Sequence, residues 1–576
     1  MCVRNPSLID LGIRAARAAN EARQRPQNTQ NERRRDVHAV DHENSQSNTS
    51  SRTDSQAAAD QMLKDLEERF GSSTESVQKA FLDAAYKHAY GTTREADKAF
   101  PDDATEWNER YFDVVTTLQS RRLQTPNGKV GRDVTRVLAD EFERWNTDPT
   151  TTSGRAIVFI TCVLQPAKGV SKACTIRRRI SKALEDWDEG RYDDLIKECK
   201  EREAELSSAY RSGKKKQEDP EHVSKIFTKL MLLGKTKAAI NWATREQHTR
   251  VYLPEEEISD KGVTKTVLES LKAKHPAASP APSEALKHII NTDPLPRVRN
   301  VVASEEDVEK AARAMQGSAG PSGIDAALLQ RMLTCHGNES KALRDALAKQ
   351  TMIVANEDVP WWRLAEARSG REIALGQERE GGGIKIRPIG IGETWERLKE
   401  KIVIQKTKQE LLTNVGIDNL STGIKAGPEA EVQALIEMLT AMEDSSDGET
   451  YVLVKLDADN AFNRLNRDVA ILNCRLYWPS ASRYVLNTYK GNPLMFVRGR
   501  AQTFTIVSEE GVTQGSPMAM LVFAVRILPL IRRLSTLTAQ PHPSLTHGEA
   551  IVIEDTQASD SQQSTDQEAQ LADIRQ

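Results

Sequence analysis

Apolar residues recur every three or four positions through the first half of the chain, beyond a polar opening stretch. The runs AADQMLKDLEERF, SVQKAFLDAAYKHAY and VSKIFTKLMLLGKTKAAINWA each carry one apolar stripe, and this spacing predicts helices from about residue 61 to 300. Such helices are expected to pack on their own stripes as an α-helical domain, 61–273. Within it, RRRISKALEDWDEGRYDDLIKECKEREAELSSAYRSGKKKQEDPE is a charged helical stretch ending in a lysine run and a proline break, read as a salt-bridged solvent face. The Pro/Ala/Ser-rich segment KHPAASPAPSEA, Lys274 to Ala285, reads as a semi-rigid linker within 274–300.

Beyond that segment the period changes. SEEDVEKAARAMQGSAGPSGIDAALLQRML opens with Ser304 as a helix cap, turns at glycine and proline, and re-enters helix. REIALGQEREGGGIKIRPIGIGETWERLKEKIVIQ predicts a strand, a glycine-rich turn, a second strand and a helix over Glu393–Lys406. TYVLVKLDADNAFNRLNRDVAILNCRLYW predicts a strand ending at Asp457 and a helix from about Arg464. NPLMFVRGRAQTFTIVSEEG predicts a hairpin turning at Arg498 to Arg500, followed by a buried helix in SPMAMLVFAVRILPLIRRL and a short strand in EAIVIED. Strand, helix, hairpin, helix, strand is an α+β order and does not fit a doubly wound sheet.

Length and composition sharpen this outline. A chain of 576 residues has room for two to four domains. Residues 1–60 are rich in Arg, Asn, Gln, Ser and Asp and cannot bury enough apolar surface to offset their ordering entropy, so disorder is expected there. Arg33, Arg34 and Arg35 read as part of that solvated segment rather than as a nuclear signal or nucleic-acid arm. With 80 basic and 83 acidic residues, net charge neither favours nor excludes a nucleic-acid partner. The six cysteines, Cys2, Cys162, Cys174, Cys199, Cys335 and Cys474, follow no zinc spacing and read as reduced thiols. Neither an 18-residue apolar run nor a cleavable leader is present, so the expected location is intracellular, nuclear or cytoplasmic, with no membrane partner.

The chemistry lies in the second half. Asp457 ends the apolar run VLVKL, where a buried carboxylate is costly unless a cation compensates it. Two divalent ions about 4 Å apart, held by carboxylates from adjacent strand ends, form the arrangement used for nucleotidyl transfer. IVIED supplies the second acidic strand end, Glu554 and Asp555. Phe462, five positions after Asp457, offers a rigid floor under a nucleotide sugar, whereas a core phenylalanine opening a helix would have no such role. In TQGSP, Gly515 permits close backbone approach to a base or sugar and Gln514 can hydrogen-bond it.

LVKLDADNAFN and EEGVTQGSPMAM resemble the first and second palm motifs of reverse transcriptases. GSAGPSGIDA and IKIRPIGIGETWERL resemble the segments that precede them in polymerases of non-LTR retrotransposons and related elements, so four motifs stand in family order across about 300 to 560. The resemblance implies a right-hand fingers and palm fold over 301–576 that copies RNA into DNA with two Mg²⁺ or Mn²⁺ ions, on an RNA template and DNA primer with dNTPs. It implies Asp457 as a metal ligand, Phe462 as the sugar gate and Arg387 as the finger group on the triphosphate. An arginine there also has its own logic, since its fork binds phosphate oxygens in pairs, and Lys385, two residues away, points to the same sheet face, where it reads equally as a phosphate partner or as a solvated strand lysine.

Two features depart from the family pattern. The third palm motif, an aromatic, a small residue and two aspartates, is represented by VIED, with Glu554 in the place of the first aspartate and Asp555 as the second acid. A glutamate carries its carboxylate one methylene further out, and a displacement of about 1 Å can cost about a hundredfold in rate. Too few residues follow Asp555 for the helical thumb that clamps template and primer, so the expectation is a truncated copy whose thumb is absent or comes from another chain. Both departures count against present catalysis. A second reading is an inactive nucleic-acid-binding remnant that grips phosphates with Arg363, Arg368, Arg371, Arg379, Lys385, Arg387, Arg397, Lys399 and Lys401. A third is a helical interaction protein built on 61–270.

Overall fold

The computed structural model describes residues 74–94, 101–170, 172–212, 220–234, 236–244, 250–260, 262–379, 382–416, 418–419, 422, 424, 426–443 and 458–538. The expected disordered segment 1–60, the strand ending at Asp457 and the strand carrying Glu554 and Asp555 lie outside these residues. What is described is α+β: helices around one mixed sheet, with a separate two-stranded hairpin.

The first half is helical as its stripes predict. Helices α1 (Thr74–Tyr90), α2 (Asp102–Thr117), α3 (Lys129–Thr147), α4 (Gly154–Val163), α5 (Ala173–Asp188), α6 (Tyr192–Ser212), α7 (Pro220–Leu232) and α8 (Thr236–Thr244) follow in order. The helical expectation then breaks down. Residues 250–266 hold three short strands, β1 (Arg250–Tyr252), β2 (Glu257–Asp260) and β3 (Val263–Thr266). Each is only three or four residues long, too short for an alternation to register in the sequence. Helix α9 (Val267–Lys272) starts in a capping box in which Thr266 accepts from Glu269 N and the Glu269 carboxylate accepts from Thr266 N.

The segment 274–300, expected as a linker, is docked instead. It contains α10 (Ser283–Ile290), whose Leu286 and Ile289 are buried in the same cluster as Phe81 and Tyr86 of α1. Then come α11 (Glu305–Arg313), α12 (Ala326–Thr334), α13 (Asn338–Asn356) and the short α14 (Ala365–Arg368). Ser304 caps α11 as expected, its hydroxyl accepting from Asp307 N while the Asp307 carboxylate accepts from Ser304 N.

The sheet is built from β4 (Gly370–Glu378), β5 (Ile384–Gly392), β6 (Leu494–Arg498), β7 (Thr503–Val507) and β1. β4 and β5 pair antiparallel along their whole length, from Gly370 opposite Gly392 to Glu378 opposite Ile384. The other edge of β4 is shared: its first residues pair parallel with β6, and residues 374–376 pair antiparallel with β1. A strand from the first half thus completes the sheet of the second. β6 and β7 form the expected hairpin, closed by Gly499 N donating to Gln502 O at 2.9 Å. Helices α15 (Thr394–Val415), α16 (Gly427–Glu443), α17 (Arg467–Tyr477), α18 (Pro479–Tyr489) and α19 (Ala519–Thr538) complete the described chain.

The helices of the first half do not keep their stripes to themselves. One core joins Leu138, Phe142, Ile157 and Phe159 to Leu329, Leu343, Trp395, Leu398 and Phe496. Phe142 meets Trp395 edge to face at 5.5 Å. A second core places α1 on α17, where Tyr86 Oη donates to Asp468 at 2.7 Å and Tyr90 Oη donates to Ile471 O at 2.7 Å. A third lies under the sheet, where Ile258, Val267 and Leu271 cover Ala374, Ile386, Met495, Val497 and Ile506. The described cysteines are free thiols. Among the described residues, no helix is long and apolar enough to cross a membrane.

Candidate nucleotide site

Three segments that carry the sequence motifs meet at one end of β5. The loop 458–466 runs into α17 and is laced to the loop 508–518: Val512 N donates to Phe462 O at 2.8 Å, and Gly511 N to Leu465 O at 2.9 Å. The second loop is laced in turn to β5, where Gly390 N donates to Gln514 O at 2.9 Å. Glycine is required at two of these crossings. Gly511 has φ +72°, and a Cβ there would lie 2.2 Å from Phe462 O; Gly515 has φ +119°, and a Cβ would lie 2.2 Å from Gly390 O. Phe462 is half-buried, its ring 5.5 Å from that of Phe523 on α19. Gln514 is half-buried and Gly515 exposed, so the tip of this loop faces outward.

Arg387 and Lys385 lie on the outer face of β5. Alternation along the strand buries Ile386, Pro388 and Gly390 and leaves Arg387 exposed and Lys385 half-exposed. Gly390 lies three residues, about 10 Å, along the strand from Arg387 and on the opposite, buried face, so the Phe462–Gln514 junction joins β5 through its backbone while the basic pair occupies the outer face. Arg371, opposite Ile391, belongs to the same sheet face. Burial and the neighbouring Arg397 lower the pKa of the Arg371 guanidinium. Arg397 donates through Nη2 to Ser318 O at 2.5 Å and to Thr394 Oγ1 at 3.2 Å, while the Nε atoms of both arginines are buried without a hydrogen-bond partner.

Of the other members of the expected basic strip, Arg363, Arg368 and Lys399 are buried, while Arg379 and Lys401 are half-exposed. Arg363 stacks on Trp145 at 4.2 Å and donates to the carbonyls of Trp145, Asp148 and Thr151. Arg368 is buried against Glu396 at 3.0 Å, and Arg379 pairs with Asp260 at 3.0 Å. Lys399 is fully buried, its Nζ donating to Gln350 Oε1 at 2.9 Å and pairing with Glu396 at 2.5 Å. Burial pushes its pKa down to about 8 and raises that of the neighbouring Glu400 to about 7. Arg363 and Lys399, expected on nucleic acid, therefore hold the interior together. A charge count along α15 cannot separate its inner from its outer face when both carry charges.

Arg467, which the motifs do not single out, organises the junction. It is 2 % exposed, yet its guanidinium donates to Gly491 O, Ser508 O, Ser508 Oγ, Glu510 O and Gly511 O at 2.9–3.0 Å. Its own N–H donates to the Glu510 carboxylate at 2.8 Å. The only trace in sequence is an arginine at the start of an otherwise apolar helix, NRDVAILN.

Asp457, Glu554 and Asp555 lie outside the described residues, and among those described no group of three or more His, Cys, Asp or Glu side chains is arranged to hold a metal. The nearest described acid in sequence, Asp459, is exposed and sits 3.6 Å from Lys274 Nζ and 3.9 Å from Arg464. No family model matches the chain, and no curated protein matches it.

Proposed function

We propose that the chain is a retroelement-type RNA-directed DNA polymerase in its fingers and palm, acting on dNTPs, a DNA primer and an RNA template. The observation that carries this reading is the run of backbone hydrogen bonds that joins the Phe462 loop to the Gln514–Gly515 loop and that loop to the strand bearing Arg387, three motif segments well separated in sequence. In this reading Arg387 and Lys385 hold the triphosphate, because a guanidinium fork and an ammonium on one strand face can share its oxygens. The Phe462 ring lies under the sugar and excludes a 2′-hydroxyl by contact. Gln514 and the bare backbone of Gly515 bound the nucleotide from the other side. Arg371 and Arg397 take template phosphates. Asp457, with Asp555 and Glu554, would hold two Mg²⁺ ions, which when bound lower the barrier to attack of the primer 3′-hydroxyl on the α-phosphate.

The test is Mg²⁺-dependent extension of a DNA primer on an RNA template by the full-length chain, beside Asp457→Ala and Glu554→Asp. Extension lost in Asp457→Ala supports a polymerase. No extension by the wild type but extension by Glu554→Asp identifies the altered acid as the lesion. Silence in all three overturns the catalytic reading. The second reading, binding without turnover, is favoured by the glutamate at 554 and by the half-buried Arg371 and Arg397, whose Nε atoms lack partners. It requires salt-dependent binding of an RNA/DNA hybrid that weakens in Arg371→Ala.

A further inference from the structure

Residues 273–282 join α9 to α10 as irregular chain, and nothing in the proposed chemistry uses them. They are nonetheless tied to both loops of the candidate site. The Lys274 carbonyl accepts from Asn460 Nδ2 at 2.9 Å and from Asn463 Nδ2 at 3.0 Å. Ala278 N donates to the Glu509 carboxylate at 3.1 Å, and Ser279 N and Oγ donate to Glu510 Oε1 at 2.7 and 3.0 Å. Asn466 Nδ2 donates to Ser279 O at 2.9 Å. One short strap thus binds the loop that carries Phe462 and the loop that leads to Gln514.

The contact at Lys274 acts on an unusual piece of backbone. Asn460 has φ +53°, a left-handed conformation that costs a non-glycine residue about 1 kcal/mol or more unless neighbours hold it. The Asn460 carbonyl accepts from Asn463 N at 3.0 Å and Arg464 N at 3.1 Å, closing a tight turn. Phe462 sits inside that turn. Asn463 is buried, and its Cα would lie 2.5 Å from a Cβ on Gly511, so the turn also sets how closely the second loop approaches. A single carbonyl therefore grips both ends of the turn that presents Phe462.

We propose that the strap 274–279 is a positioning element of the nucleotide site, and that Asn460 and Asn463, held by the Lys274 carbonyl, set the level of the Phe462 ring and with it the preference for deoxy- over ribonucleoside triphosphates. The catalytic consequence rests on the polymerase reading; the positioning does not. It gives the first half of the chain a part in the site, since the strap enters from α9.

The experiment uses full-length protein with Asn463→Ala and Asn460→Gly; the glycine keeps the left-handed backbone but removes the donor. Asn473→Ala is the control, because it deletes a comparable side-chain hydrogen bond, to Arg526 O at 3.2 Å, away from the strap. Two readouts are taken: hydrogen exchange at the amides of Asn463, Arg464, Gly511 and Val512, and the ratio of kcat/KM for dNTP over rNTP in primer extension. Loss of one such bond corresponds to about fivefold in each. The expected result is exchange about fivefold faster at those four amides and a ratio about fivefold lower in both variants, with neither changed in Asn473→Ala. Unchanged exchange in both variants overturns the positioning. Faster exchange with an unchanged ratio in an extending enzyme overturns the specificity role. If neither the wild type nor Glu554→Asp extends a primer, the polymerase reading falls, and the exchange result alone decides whether the strap positions the turn; if only Glu554→Asp extends, the ratio is measured in that background.

Discussion

At the scale of single residues, the candidate site depends on buried polar groups more than on the exposed ones. Arg467 is the clearest case: burial and the nearby Arg94 lower the pKa of its guanidinium to about 10, and five hydrogen bonds to the loop 508–511 and to Gly491 offset that burial. Removing it strands several carbonyls at once. Arg467→Ala is therefore expected to lower stability by about 3 kcal/mol. Arg464→Ala, three residues earlier and exposed, is expected to change it by less than about 0.5 kcal/mol. Urea unfolding of the two variants checks this, and equal midpoints would contradict the clamp. Gly515 was legible as a special position because a glycine in a polar loop already speaks of backbone constraint; Gly511 was not singled out, and only its approach to Phe462 O shows the need for glycine there. Arg467 was not, because its type predicts solvent and only its neighbours explain its burial.

At the scale of elements, α15 combines a packed apolar face with buried charge. Glu393 at its start accepts from Ser322 N at 2.7 Å and from Ser322 Oγ at 2.6 Å, and Glu400 accepts from Ser516 Oγ at 2.8 Å. Burial raises the pKa of both to about 7, as it does for Glu366 beside α4. A carboxyl whose folded pKa exceeds its unfolded value of about 4.5 binds more protons when folded, so its stabilisation is complete below that value and is lost as pH rises through about 7. Each of the three is expected to withdraw about 3 kcal/mol between pH 4.5 and 7. Lys399 has the opposite sign: its folded pKa of about 8 lies below its unfolded value, so stability recovers above about pH 8 as the unfolded chain holds the proton longer. Glu400→Gln keeps an acceptor for Ser516 while removing one proton, and should make the fall in urea midpoint between pH 5 and 7 shallower by about a third. Parallel curves for wild type and variant would refute the assignment. The neighbours of Glu400 in this titration are Arg368, Glu396 and Lys399. The β4–β5 hairpin and the capped α11 followed directly from local pattern, since alternation, glycines and a Ser-x-x-Asp box act within a few residues. The three-residue β1 could not, because it exists only as the partner of β4.

At the scale of the whole molecule, the division into a helical first half and an α+β second half does not survive as a division of cores. Leu138 and Phe142 of α3 share one apolar cluster with Trp395 and Leu398 of α15, and β1 and the strap reach the sheet and the loops from the first half. Residues 283–576 alone would expose that cluster, and are expected to show no cooperative unfolding transition. In the full chain, Leu138→Ala and Leu398→Ala should each cost about 2–5 kcal/mol of stability, read as a lower urea midpoint of the same transition. Two separate transitions in urea, each moved by one variant only, would restore the two-domain view.

The amino-acid sequence by itself determined the local grammar: amphipathic helices before residue 250, the two hairpins, the cap at Ser304, the α+β order and the motif residues Arg387, Phe462, Gln514 and Gly515. These follow from periods, turn residues and short-range hydrogen bonds, which need no partner far along the chain. Tertiary structure alone decided which charges are buried, that a Pro/Ala-rich stretch is a docked strap, and that three separate motif segments are joined by backbone hydrogen bonds. Those outcomes depend on hydrogen-bond partners and apolar neighbours brought from tens to nearly two hundred residues away, and a carbonyl such as that of Lys274 carries no mark in the sequence of the asparagines it will hold.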